Sequence, residues 1–336
     1  MSPDKTPMLT PAPTRRTVIG AGLAAAAALA VPSVVRAQSA VKIRIGYWPI
    51  AAGLPFYAAV ELGYFKEAGL DVEVQRYSAA QQIMESMLAE RCDGSANGTG
   101  SANLAVGEIA APGSFKIFCA NPSNVKNVLD QVLVPVASKA QTIADLKGKR
   151  VASGPGIQNV TLAKTVFERA GATGVTVVEL PLGQHVAAMV AGQIDGSYAL
   201  EPTGTIGRLN GSTRMLEAGV ISRYVLGDPM APWFGGAGSL TTAFIKKNPA
   251  AARRYIEAYG RGVALVRNKP DEARKYLKTY TPIEGQLTAE VPLAAYTMFN
   301  EFTPSDIAYF QKFFDLFSDK GIFASRQMVD AMLYKG

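Results

Sequence analysis

From Val41 to Leu200 the chain alternates strand-type and helix-type segments, and this alternation limits its fold more than any other feature. Val41 to Tyr47 switches apolar and polar residues at period two, as a half-buried strand does. Pro55 to Ala68 sets Phe56, Ala59, Val60, Gly63 and Phe65 at near-helical spacing, with Gly69 as the stop. Leu70 to Tyr77 alternates again, and Ala79 to Glu90 carries Ile83, Met84, Met87 and Leu88 on one helical face. Strand patterns follow at Cys92 to Thr99, Phe115 to Ala120 and Leu129 to Val136, the last apolar enough to carry the chain into a second lobe. There the pattern repeats: a helical turn at Ile143 to Lys149, strands at Arg150 to Ser153, Val175 to Leu180 and Ile194 to Leu200, and helices at Ile157 to Ala170 and Val186 to Ala191. Such units predict an α/β fold with open, mainly parallel sheets and helices on both faces. After a strand at Leu240 to Phe244 the chain turns helical. Pro249 to Arg267, Pro270 to Thr279, Pro292 to Phe299 and Pro304 to Phe317 each open on a Pro suited to a first helical turn.

The start of the chain reads as an address. Thr-Arg-Arg-Thr-Val-Ile at 14–19 precedes an Ala-rich apolar run from Gly20 to Val31, and Val35-Arg36-Ala37 supplies a cleavage-type ending. The paired Arg15 and Arg16 resemble a twin-arginine export signal, and the apolar run is too short to span a membrane core of about 30 Å. Cleavage after Ala37 removes Lys5, Arg15, Arg16 and Arg36 against Asp4, which lowers the formal net charge of +7 by three. What remains is mild and scattered, so the charge makes no case for a nucleic-acid partner.

A length of 336 residues suffices for two domains with cores of their own. One His and two Cys cannot assemble a Cys₂His₂ or His₃ metal site, and neither a metal nor a cofactor is expected. Cys92 and Cys119, at the start and in the interior of two separate strands, could pair in an oxidising compartment, but folding ahead of twin-arginine export favours buried free thiols. Nucleophile-elbow and phosphate-loop motifs are missing, and Ser153-Gly154-Pro155-Gly156 lacks the third glycine of a dinucleotide fingerprint.

Three blocks carry a family resemblance. They are Ile45-Gly46-Tyr47-Trp48-Pro49 with Pro55 to Val72, then Ile143 to Ala152, then Ala187 to Pro202. Together and in this order they resemble the periplasmic solute-binding proteins of nitrate, alkanesulfonate and taurine ABC transporters. The resemblance implies two α/β lobes joined by a two-strand hinge, a small polar or anionic organic ligand held between them, and delivery to a membrane permease and its ATPase. It also implies a monomeric periplasmic protein without catalysis. The expected organisation is a leader over 1–37, a first lobe over 38–135, a second over 136–235, and a return to the first lobe with C-terminal helices over 236–336. A sensor that docks a receptor kinase is the rival binding role. A pyrimidine-synthase-like enzyme on the same fold is the rival chemistry, and the Cys-rich iron motif of those relatives is missing here.

Ligands of open α/β sheets bind beyond the carboxyl ends of strands, which yields the candidate residues. Tyr47, Trp48 and Pro49 follow the first strand and Ser78 the second. Asn97, Gly98, Thr99 and Ser101 close the third with small residues and hydrogen-bonding groups, and Asn121 ends the Phe115 strand. In the second lobe Gly156, Gln158 and Asn159 open a helix, a natural cradle for an anion. Glu201 ends the Ile194 strand, where it either pairs within the protein or meets a donor on the ligand, and Trp233 lies near the return crossing. His185, the single histidine, is expected to cap or pack rather than to reach the cleft.

Overall fold

The computed structural model describes Met1 and residues 40–336, so the twin-arginine pair and the Ala37 cleavage point lie outside the described residues. The chain runs β1 (Val41–Tyr47), α1 (Leu54–Glu61), β2 (Leu70–Arg76), α2 (Ala80–Leu88), β3 (Gly94–Gly100), α3 (Ser101–Ala110) and β4 (Phe115–Ser123). It then crosses to β5 (Asp130–Pro135), β6 (Arg150–Ser153), α4 (Ile157–Arg169), β7 (Thr176–Glu179), α5 (Leu182–Val190), β8 (Gly196–Leu200), α6 (Thr203–Leu209), β9 (Thr213–Ala218) and α7 (Val220–Tyr224). The return brings β10 (Trp233–Thr241), α8 (Pro249–Asn268), β11 (Thr297–Met298) and α9 (Pro304–Asp319).

Two sheets result, with strand orders β11-β4-β10-β3-β1-β2 and β7-β6-β8-β5-β9. The α/β class holds, but the sheets are mixed rather than mainly parallel. β1 runs parallel to β2 and β3, and β6 to β7 and β8. β10 and β5 enter their sheets antiparallel to both neighbours, and β11 lies antiparallel to β4. Each sheet is built by local β-α-β units, and the strand that arrives from the other sheet inserts in the opposite direction. The Leu129 segment already belongs to the second sheet, ahead of the boundary expected at 136.

Other differences are local. Gly63, with φ of 71°, breaks the predicted Pro55–Ala68 helix into α1 and a single turn over Tyr64–Glu67. The segment expected to be helical from Pro292 to Phe299 is a loop that leads into β11, which pairs with Ala120 and Cys119 of β4. Its Pro marks a loop rather than a helix start. β10 carries no clear period-two signal because it is buried on every residue, and the strand expected at Leu240 to Phe244 ends at Thr241, which caps a helix over Thr242–Lys247.

β3 is the structural axis of the first sheet. It is short in side chains, Gly-Ser-Ala-Asn-Gly-Thr-Gly, and buried throughout. A Cβ on Gly94 would lie 2.6 Å from the Ser239 carbonyl and from Leu240, so small residues let β10 and its packing approach. One face carries an aromatic cluster of Phe56, Tyr57, Phe118, Tyr255 and Tyr259 under α8, with Phe118 and Tyr259 edge to face at 5.0 Å. The other carries Phe234, Phe310, Phe313 and Phe314 under α9. Each fully buried ring contributes about 2–3 kcal/mol of transfer free energy, which fixes β3 and β10 and hence the ends that form the site. Cys92 and Cys119 are buried and unpaired, and burial pushes the Cys92 thiol up to about 11.

Candidate functional site

The carboxyl ends of the parallel strands of both sheets meet at one narrow pocket. Trp48 and Ile50 come from the loop after β1, Gly98 and Gly100 from the end of β3, and Gly235 and Gly236 from the start of β10. The second sheet supplies Leu129, Leu200 and the first turn of α4, with Gln158 and Asn159. Trp233 completes the wall, and the cavity is about 10 Å³. None of these lining residues carries a charge.

Glycine is dictated on the floor. A Cβ on Gly236 would collide with Asn121 Oδ1 and come within 3.0 Å of the Gly98 nitrogen. One on Gly100 would sit 2.7 Å from both Gln158 Oε1 and Asn103 Nδ2. The glycine-closed end of β3 leads straight into α3, whose first N–H groups lack helical partners. Ala102 N, in that first turn, donates to Gln158 Oε1 at 2.8 Å, and Gln158 Nε2 donates to the Gly235 carbonyl at 2.9 Å. Asn159 Nδ2 donates back to the Pro155 carbonyl at 3.0 Å.

Polar atoms around this floor are left over. Trp233 Nε1, both amide atoms of Asn103 and Asn121 Nδ2 are buried without a hydrogen-bond partner. A buried polar atom without a partner costs about 1–3 kcal/mol, and here Trp233 lines the pocket while the Asn103 and Asn121 side chains abut its floor glycines Gly100 and Gly236.

A second opening lies at the mouth. Trp48, Pro49, Arg76, Tyr77 and Ser78 of the first sheet face Pro181, Gly183, Gln184 and Thr203 of the second across a groove of about 470 Å³. Trp48 joins the two spaces: its Nε1 donates to the Ser78 carbonyl at 3.1 Å, and its ring packs toward Gly154.

Of the residues expected at the site, Trp48, Gly98, Gln158, Asn159 and Trp233 line the pocket, and Pro49 and Ser78 line the mouth. The others serve the scaffold. Tyr47 packs edge to face on Tyr57 and Tyr280. Asn97 accepts from the Tyr259 hydroxyl at 2.7 Å and donates to Asn121 Oδ1 at 3.2 Å, on the α8 side of the sheet. Thr99 donates to the Ala96 carbonyl and Ser101 to the Phe234 carbonyl. Gly156, with φ of 100°, makes the turn into α4 against Gln81. Alternation along β3 explains the split, since only every second residue faces the cleft.

Glu201 also turns inward. Its carboxylate accepts from Gln131 Nε2 at 2.7 Å and Thr205 N at 3.1 Å, and burial raises its pKa. Its backbone carbonyl accepts from Ala51 N of the first-sheet loop at 2.9 Å, so it ties the sheets together beside the pocket. His185 is buried and bonded to the Leu180 carbonyl at 2.9 Å, and it lines neither the pocket nor the mouth. Sequence reasoning passes over Asn103, Gly235 and Gly236. The Trp-Phe-Gly-Gly-Ala-Gly run at 233–238 is the signal that could have found the two glycines.

Comparison with known families settles the kinship. The family described as NMT1/THI5 like matches residues 52–273. The chain belongs to the NMT1/THI5-like family. No curated protein matches this family member. Among solved structures, it is similar to the alkanesulfonate-binding protein SsuA of Xanthomonas axonopodis pv. citri bound to MOPS, at 20% identity and TM-score 0.71, covering 88% of this chain and 99% of that one. The periplasmic aliphatic sulphonate-binding protein SsuA of Escherichia coli follows at 19% identity and TM-score 0.67, covering 88% and 92%. The periplasmic nitrate-binding protein NrtA of Synechocystis PCC 6803 is similar at 14% identity and TM-score 0.64, covering 87% and 84%. These likenesses fix the fold of the NMT1/THI5-like chain, and the resemblance seen in its three sequence blocks is confirmed at the level of family and fold.

Proposed function

We propose that this chain is the solute-binding component of an ABC importer, exported to the periplasm by its twin-arginine leader and acting there as a monomer. Its two sheets form hinged lobes over roughly 40–123 with 233–336, and 130–218, that close on a small polar or anionic organic solute such as a sulfonate, aminosulfonate or aromatic carboxylate. The closed, loaded form hands the solute to a membrane permease.

The observation that carries this reading is a pair of buried, unpartnered donors at a glycine-floored pocket between the sheets: Trp233 Nε1 on its wall and Asn103 Nδ2 beside Gly100 of its floor. Neutral donors and an open helix N-terminus hold an anion without burying a counter-charge, and they hold it tightly where water is excluded. Solute contacts to both lobes exist only in the closed form, so binding shifts the hinge equilibrium.

A thermal-shift panel of alkanesulfonates, taurine, nitrate, aromatic carboxylates and pyrimidines tests it. A true solute at 100 times its dissociation constant adds about 2.7 kcal/mol. A flat response across every class rejects the reading.

A further inference from the structure

Gln158 belongs to a second-sheet helix, yet both ends of its carboxamide are bonded to first-sheet backbone. Its Oε1 takes the Ala102 N–H at the start of α3, and its Nε2 gives to Gly235 on β10. The side chain is only 4% exposed. It has this room because Gly100 lacks a Cβ, which would lie 2.7 Å from Oε1 and 2.9 Å from Cδ.

We propose that Gln158 is an intramolecular latch: its carboxamide takes the acceptor seat at the α3 N-terminus and holds the lobes together until a solute displaces it. The inference rests on the solute-binding reading and adds a competitor to it. A cavity of about 10 Å³ has room for one water at most, so no solute of even a few heavy atoms enters while Gln158 keeps its place. The latch satisfies one helix N–H and one carbonyl but leaves Asn103 and Trp233 without partners. Acceptor oxygens on a solute take the Ala102 N–H and the free donors Asn103 Nδ2 and Trp233 Nε1, a water takes the Gly235 carbonyl, and that surplus drives the exchange. The latched fraction lowers apparent affinity in proportion.

Two measurements on the purified protein, without added solute, test the latch. Gln158→Ala and Gln158→Asn both shorten the side chain beyond reach of the two partners, and unfolding midpoints show that each variant folds. Amide exchange at Ala102 should speed up at least tenfold in both, and small-angle scattering should show the lobes opening by more than about 2 Å. Titration with ethanesulfonate and MOPS should then show tighter binding by the variants than by the parent protein. Unchanged exchange at Ala102, or weaker sulfonate binding by both variants, overturns the latch. If neither parent nor variants bind any solute of the panel, the solute reading fails, while the exchange and scattering data still decide whether Gln158 holds the lobes.

Discussion

Trp48 and Trp233 line the same pocket, but Trp48 donates its indole N–H to the Ser78 carbonyl at 3.1 Å while the buried indole N–H of Trp233 meets no partner. Both are at most 3% exposed, so bulk water does not make up the deficit at Trp233. One tryptophan is fastened to the scaffold and the other keeps a donor in hand.

Trp233→Phe should therefore separate stability from binding. The change removes a donor that has no partner, so urea unfolding should shift by less than about 1 kcal/mol once the ring's packing is largely kept. Solute affinity should fall roughly tenfold or more, the usual loss for a hydrogen bond to a charged group. Isothermal titration of both proteins with the best solute of the panel checks it. Equal affinities would remove Trp233 from the site.

Asn97→Ala should do the reverse. Asn97 joins Tyr259 to Asn121 inside the first sheet, and its loss leaves the Tyr259 hydroxyl proton and Asn121 Oδ1 without partners in a dry core, while the backbone N–H at 97 still donates to Tyr259. A destabilisation of about 1–3 kcal/mol is expected in urea, with solute affinity within about twofold of the parent. A large affinity loss in a variant of full stability would return Asn97 to the cleft.

The β-α-β units are legible in the sequence because local periodicity encodes them, and the strand-end rule leads from them to Trp48, Gln158 and Asn159, which line the pocket. Asn97, Thr99 and Glu201 bond into the scaffold instead of the cleft, and one reason covers all three. A strand's end is visible in sequence, but the direction each side chain takes depends on pairing with distant segments. For β3 the partner is β10, which comes more than 130 residues later. The antiparallel entry of β5 and β10 is likewise a product of chain crossing, to which no local pattern corresponds. Pro292 imitates a helix start because a Pro fixes only its own φ, and the residues after it are free to run extended.

Two buried groups should give the protein opposing responses to acid. Burial pushes the Asp130 carboxyl from an ordinary 3.8 up to about 6, with its Oδ2 accepting from Ile221 N across the crossing segments. A raised carboxyl favours the folded state when protonated, so Asp130 adds stability as pH falls from about 6 to 4. Burial lowers His185 from 6.5 to about 4, so His185 removes stability over much the same window. The native protein should accordingly lose little between pH 7 and 4.5 on account of this pair. Asp130→Asn cancels only the gain, and its urea stability should drop across that interval by about 2 kcal/mol more than the parent's. Parallel pH profiles for the two proteins would show that Asp130 does not titrate there.

Gly236→Ala should damage the floor itself. The added methyl meets Asn121 and the Gly98 backbone, neither of which has a free end to swing aside. A loss of about 1–3 kcal/mol is expected, together with weakened solute binding. A variant as stable as the parent and equally able to bind would mean that β10 yields more readily than its packing suggests.

The chain's two tryptophans both line the pocket between the sheets, which makes their emission a direct report on the central claim. Fluorescence titration of the parent protein, of Trp48→Phe and of Trp233→Phe with the solute that gives the largest thermal shift is the most direct test. Solute capture between the lobes predicts a saturable change in the emission of the parent and of each single-tryptophan variant, with a midpoint matching calorimetry. Calorimetric binding that leaves all three emission spectra unchanged would place the solute elsewhere and contradict the account.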